Sequence, residues 1–162
     1  MRAGPAEGSG PEGLEAVKLS IICMGKTRER FVQEGIDKYI RYLKPYAPTE
    51  IRELREEKVN DLREAPLVRL REAVKIGKLL TPGSHIVALD ERGREFTSHE
   101  FAEFLNRMME QGIREMAFVL GGAMGLAESV TGSAHTVLAM SRWTLTHEMA
   151  RLVLLEQLYR AF

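Results

Sequence analysis

Residues 118–130, FVLGGAMGLAESV, place an apolar run directly before a cluster of glycines. The run begins at residue 116 and stays apolar through residue 120, which is typical of a strand buried on both faces. Gly121 and Gly122 follow without a spacer. Glycine at this point either supplies a positive φ for a tight turn or lets a ligand approach the backbone. Both interpretations stay open on these residues alone, although ligands do bind at the carboxyl ends of strands in open α/β sheets.

The rest of the chain alternates between strand-like and helix-like segments. Strands are predicted at 17–24, 51–59 (weakly), 85–89, 116–120 and 135–140, and DERG at 90–93 favours a turn after the third. Helices are predicted at 31–43, at 66–74, at 97–109 with a Thr97/Glu100 capping box, at 126–130 and at 146–162. Strands that alternate with helices indicate a parallel sheet with helices on both faces, so the predicted fold class is α/β.

Length and composition predict one cytoplasmic domain. The 162 residues carry 23 Lys plus Arg against 23 Asp plus Glu, a formal net charge of zero, so any nucleic-acid footprint must be local. The single cysteine, Cys23, fits a reducing compartment. No apolar stretch is long enough to span a bilayer, so no membrane partner is expected. Residues 1–16, rich in Gly, Pro and Ala, are predicted to be a flexible extension, which leaves 17–162 as the domain.

Three motifs resemble known binding sequences but depart from them. MGKT at 24–27 resembles the end of a phosphate-binding loop, yet Ser20 stands where that motif needs a glycine. HEMAR at 147–151 has Arg151 where a zinc-binding HExxH helix needs its second histidine. GGAMG at 121–125 lacks the separated glycines of the dinucleotide fingerprint. Neither a nucleoside triphosphate site nor a metal site is therefore predicted.

The predicted helix at 146–162 has apolar residues around most of its circumference. Such a helix is buried on two sides. The second side contacts either a partner subunit or the core of a monomer, and the small size of the domain favours a homodimer. The three arginines of this region, Arg142, Arg151 and Arg160, are expected on the solvated surface.

Several blocks together resemble the RlmH family of SPOUT-class (α/β-knot) methyltransferases. They are LDERG at 89–93, FVLGGAMG at 118–125 and LAMSRWTLTHEMARLVLLEQLYRAF at 138–162, and the opening VKLSIICMGKTRERFVQEGIDKYIRYL at 17–43 is also similar. The resemblance thus covers 17–162. It implies a C-terminal trefoil knot, one of the few exceptions to unknotted topology. It also implies a homodimer that transfers a methyl group from S-adenosylmethionine to N3 of a pseudouridine in 23S rRNA, on the assembled ribosome.

The resemblance further implies which residues form the site. The cofactor pocket would comprise Leu89, Gly121, Met140, Ser141, Arg142, Trp143, Thr144 and Leu145. In this interpretation S-adenosylmethionine lies against the bare backbone of Gly121. Because the sulfonium methyl is already activated, the protein mainly orients the nucleophile, and some group must remove the N3 proton. His147, Arg151 and Arg160 are the catalytic candidates, chosen by location only.

Two departures from the family pattern affect the expected function. The family continues beyond the position of Phe162 into a short tail with a Tyr-His pair, and residues 1–16 precede its usual start. Without that tail, the chain is expected to bind cofactor but to transfer methyl groups poorly. The alternatives are a related SPOUT methyltransferase acting on transfer RNA and a catalytically silent dimeric cofactor-binding module, both mildly favoured by the neutral net charge.

Overall fold

The computed structural model describes residues 16–162, so the predicted extension at 1–16 lies outside the described residues except for Ala16. Within that range the chain forms five strands and five α-helices. Their order is β1 (Lys18–Met24), α1 (Arg30–Leu43), β2 (Thr49–Leu54), α2 (Ala65–Gly77), β3 (His85–Glu95), α3 (Ser98–Glu110), β4 (Glu115–Leu120), α4 (Glu128–Ser133), β5 (Thr136–Ala139) and α5 (His147–Ala161). A short 3₁₀ turn, Leu62–Glu64, precedes α2.

The five strands form one sheet in the order β2-β1-β4-β3-β5, and every pairing is parallel. Side chains of α1, α3 and α5 pack on one face of the sheet, and those of α2 and α4 pack on the other. The central strands β1 and β4 are apolar because both of their faces are covered. The predicted α/β class with helices on both faces is therefore confirmed, whereas the trefoil knot stays a prediction from the resemblance.

Strand β3 continues past the turn that the sequence predicts at its end. Leu89 pairs with Leu138 of β5, and Arg94 pairs with the same residue, so residues 90–93 bulge out of the ladder before the strand resumes. Gly93 closes the bulge at a crowded point, where a Cβ atom would lie 2.7 Å from backbone atoms of Leu138. The predicted strand end at Leu89 is wrong, and the turn signal corresponds to a bulge inside a longer strand.

Other boundaries also differ from the prediction, and two of the differences have a clear physical reason. Strand β2 ends at Leu54, because the charged residues 55–58 give a strand no apolar side to bury; the N–H of Glu57 instead donates to Glu72 Oε1 at 3.1 Å. Helix α4 begins at Glu128 because Ala127, in an extended conformation with ψ of 149°, is its N-cap.

Arg151 of α5 is fully buried, against the expectation of a solvated arginine. Its Nη2 donates to the carbonyl oxygens of Met24 at 2.7 Å and Gly25 at 2.8 Å. Its Nη1 donates to Thr27 Oγ1 at 2.8 Å and lies 3.4 Å from Glu53 Oε1. Two carbonyls and the hydroxyl of the MGKT segment thus accept hydrogen bonds from a side chain of the same chain.

Glu148 of α5 contacts the same loop. Its carboxylate accepts the main-chain N–H of Arg28 and, at 3.1 Å, that of Glu29. The N–H of Arg28 is the main influence that lowers the pKa of this carboxyl, which therefore stays charged at the otherwise open start of α1. We call the contacts of Glu148 and Arg151 with residues 24–29 the α5–loop bridge. The HEMAR motif is accounted for by this bridge.

Helix α5 has neighbours on three sides within its own chain. Leu154, Leu155 and Leu158 are buried against the sheet. Leu152 packs on α1 at Gly35. A Cβ atom on Gly35 would lie only 2.7 Å from Cδ1 of Leu152. Ser98 of α3 donates its hydroxyl to Gln157 Oε1 at 2.6 Å. Most of the apolar surface of α5 thus packs against other elements of the same chain. Homodimerisation therefore stays a prediction that this helix alone does not support.

Candidate functional site

A cavity of about 820 Å³ opens at the carboxyl ends of β3, β4 and β5. Three segments form most of its wall: 89–92, 120–126 and 140–147. Its volume falls within the roughly 300–1,000 Å³ that is typical of small-molecule sites. Its position is the one at which open parallel sheets bind ligands.

All eight residues of the predicted cofactor pocket line this cavity. They are Leu89, Gly121, Met140, Ser141, Arg142, Trp143, Thr144 and Leu145. The structure therefore brings together residues that are up to 56 positions apart in the sequence (145 − 89). That they bind a cofactor stays a prediction.

Gly121 is required by its own loop. A Cβ atom at this position would lie 2.7 Å from the carbonyl carbon of Gly125 and 3.0 Å from the backbone nitrogen of Leu126. The loop is a tight turn in which the N–H of Gly125 donates to the carbonyl oxygen of Gly122 at 3.0 Å, with a φ of +75° at Gly125. The turn interpretation therefore accounts for the glycines. Replacing Gly121 with valine would disturb the loop itself and could not isolate a cofactor contact.

The cavity combines apolar walls with a polar rim. Its apolar side chains include Leu89, Leu120, Leu126, Leu138, Met140 and Leu145. On the bulge of β3, the Asp90 carboxylate accepts hydrogen bonds from the Nε and the backbone N–H of Arg92, each at 2.9 Å. The Arg92 side chain is the main cause that lowers the pKa of Asp90, so this carboxyl is a weak base and a fixed negative charge.

Of the three catalytic candidates, only His147 lines the cavity. It is the first residue of α5, and Thr146 caps the helix by accepting the N–H of Met149 at 3.2 Å. Arg151, one turn further on, is buried in the α5–loop bridge and does not reach the cavity. Arg160 is ion-paired with Glu156. It lies about 20 Å from His147 along the helix axis, at 1.5 Å per residue. Within one chain, the geometry therefore does not support a catalytic role for Arg151 or Arg160.

Sequence reasoning missed the bulge residues Asp90, Glu91 and Arg92, which it assigned to a turn. The available signal was their position directly after a buried strand, at the ligand-binding edge of the sheet.

Burial raises the pKa of the Cys23 thiol to about 12, which keeps the thiol protonated and unsuited to act as a nucleophile. Between residues 16 and 162 there is no group of three His, Cys, Asp or Glu side chains arranged to hold a metal ion. No helix in that range is long and apolar enough to cross a membrane.

Comparison with known proteins shows which family and which proteins the chain is similar to. The family described as "Predicted SPOUT methyltransferase" matches residues 17–162. The chain is 44% identical over 146 residues to the ribosomal RNA large subunit methyltransferase H of Geobacter sulfurreducens, covering 90% of this chain and 94% of that protein. It is 38% identical to the protein of the same name from Desulforamulus reducens, covering 90% and 93% of the two chains. A probable methyltransferase from Bordetella pertussis Tohama I shares the fold, with a TM-score of 0.57 at 15% identity over 90% of this chain and 94% of that one.

Proposed function

Because the chain belongs to the SPOUT methyltransferase family, we propose that it transfers a methyl group from S-adenosylmethionine to large-subunit ribosomal RNA. The observation that carries this proposal is the cavity at the carboxyl edge of the sheet, lined by all eight residues of the predicted cofactor pocket. The resemblance specifies the target as N3 of a pseudouridine in 23S rRNA, on the assembled ribosome and therefore in the cytoplasm.

The residues of the cavity fit this cofactor. Leu89, Leu138 and Met140 provide apolar surface for a flat adenine ring, and the main chain of 121–125 and 140–145 offers amide and carbonyl groups beside it. Asp90 and Glu91 add carboxylates that suit a ligand with positive charges. When bound, S-adenosylmethionine supplies an activated methyl group on a positively charged sulfur. The chain's own task is then to hold the target base in line and to remove its proton.

His147 is the residue that we assign to proton removal. A nitrogen of an imidazole can accept a proton, as a general base must, and His147 is the one catalytic candidate that lines the cavity. Asp90 lines the same cavity, but its lowered pKa makes it the weaker base. The Arg142 side chain is exposed on the rim, where it pairs with Glu95 at 3.1 Å and is accessible to the phosphates of a bound RNA.

The protein is further proposed to be a homodimer. An aromatic cluster of Tyr39, Tyr42, Tyr46 and Tyr159 joins α1 to α5, and Tyr42 keeps 43% of its surface exposed. Nearer the start of α1, Phe31 is 60% exposed, so this side of the protein offers apolar and aromatic surface to a second copy. Sedimentation at micromolar concentration is expected to give twice the mass of one chain, and a monomer there would contradict this part. Arg160 remains a catalytic candidate only as a residue supplied by the second subunit.

The test of the proposed function is a calorimetric titration with S-adenosylmethionine followed by transfer of a labelled methyl group. Binding is expected for this cofactor and for neither NAD nor ATP. Label is expected in the RNA of large ribosomal subunits, at N3 of a pseudouridine, with or without a chelator in the buffer. Label in transfer RNA instead would indicate the transfer-RNA alternative. Cofactor binding without transfer to either RNA would indicate the silent binding module.

A further inference from the structure

Trp143 is the most exposed large apolar residue between residues 16 and 162, with 84% of its surface accessible. It is also the only tryptophan in the sequence. Its neighbours in the cavity wall, Met140 and Leu145, are half-buried. Most of the indole therefore faces solvent at the rim of the cavity, where only a molecule arriving from outside can cover it.

The loop that carries Trp143 is held in place on both sides. The N–H of Trp143 donates to Ser141 Oγ at 2.9 Å, and strand β5 ends at Ala139, just before the loop. Thr146 then starts α5 by capping it. The main chain that carries the indole is therefore positioned before any ring packs on it, so stacking costs less conformational freedom than it would on an unstructured segment.

The charges around Trp143 suit an RNA backbone. The side chains of Arg92 and Arg142 are 64% and 86% exposed, and they pair with the carboxylates of Asp90 and Glu95 respectively. The pair of Arg142 with Glu95 is exposed, and such pairs contribute little to stability, so the Arg142 guanidinium can exchange its partner for a phosphate. An aromatic face beside arginines is the combination that binds unpaired RNA bases, by stacking together with phosphate contacts.

We propose that the indole of Trp143 stacks on an unpaired base of the RNA substrate adjacent to the base that enters the cavity. Trp143 is then a positioning residue for RNA through its exposed indole, whereas its main chain belongs to the predicted cofactor pocket. This inference rests on the proposed function and adds to it the surface that holds the RNA beside the target base.

The first test compares Trp143→Ala and Trp143→Phe with the control Leu62→Ala, which removes a side chain that is 76% exposed and does not line the cavity. For methyl transfer to large ribosomal subunits, Trp143→Ala is expected to raise KM about 5- to 150-fold, the loss that follows removal of one stacked base. Trp143→Phe should retain most of the affinity, and Leu62→Ala should match the parent. Calorimetry should show unchanged affinity for S-adenosylmethionine in all three. An unchanged KM in Trp143→Ala, or a loss of cofactor affinity, would overturn the inference.

The second test uses Trp143 as the only indole fluorophore of the chain. In the free protein its emission should be that of an exposed indole and should be quenched by acrylamide. Addition of polyuridylate should quench it further as bases stack on the ring. Protection from acrylamide in the free protein would mean that a second copy covers Trp143, and unchanged emission with polyuridylate would mean that no base reaches it; either result overturns the inference. If the parent transfers no methyl group, the proposed function fails, whereas the emission still decides the role of Trp143.

Discussion

Replacing Arg151 with methionine is expected to lower the free energy of unfolding by about 3–5 kcal/mol, the usual effect of removing one partner from a buried charged network. The carbonyl oxygens of Met24 and Gly25 would lose the donors that they contact at 2.7 and 2.8 Å. Each such buried acceptor left without a donor costs about 1–3 kcal/mol. For a domain of this size, the midpoint of thermal unfolding should fall by about 6–20 °C, measured by circular dichroism.

The matched control for this variant is Arg160→Met on the same helix. Arg160 is exposed and pairs with Glu156 one turn away, so its removal should change the free energy of unfolding by at most about 0.5 kcal/mol. If the Arg151 and Arg160 variants unfold at the same temperature, the α5–loop bridge does not stabilise the fold in the way that its hydrogen bonds indicate.

Replacing His147 with alanine is expected to lower kcat for methyl transfer to large ribosomal subunits by about 100- to 10,000-fold, the usual contribution of a positioned general base. Affinity for S-adenosylmethionine should stay close to that of the parent, because the walls that hold the cofactor are untouched. Rates come from single-turnover assays, and affinities from calorimetry.

The control is His99→Ala, which removes an imidazole that is 84% exposed on α3 and pairs with Glu103. It should leave kcat unchanged. Retention of the parental kcat by His147→Ala would remove His147 from the mechanism. A corresponding loss in Asp90→Asn would then assign proton removal to the bulge of β3.

Much of the fold could be predicted because its signals are local. The apolar run at 116–120 and the capping box of Thr97 and Glu100 depend on a few consecutive residues, and both occur in the structure as predicted. The bulge of β3 was missed because DERG has the composition of a turn. Whether a strand resumes after such a segment depends on its partner, here Leu138 of β5, which lies far along the sequence.

The ligand-binding edge of the sheet could be predicted because a strand end could be identified in the sequence. The burial of Arg151 could not be predicted. The strand-to-glycine block 118–125 indicated the correct edge of the sheet, and the resemblance named residues that do meet at one cavity. Arg151 could not be placed correctly, because a lone arginine on an apolar helix is ordinarily solvated. Only the carbonyls of a loop more than 120 residues away explain its burial.

The α5–loop bridge also has a consequence for how the chain reaches this fold. Arg151 donates to the carbonyl oxygen of Met24 across 127 positions of sequence. The loop after β1 therefore gains this hydrogen bond only after α5 has been synthesised. Contacts of such long range close large loops and are therefore slow to form. While the chain emerges from the ribosome, the start of α1 lacks the carboxylate of Glu148, and the carbonyls of residues 24 and 25 lack their donor. Nascent chains should therefore become protease-resistant late, in a single step that follows emergence of α5.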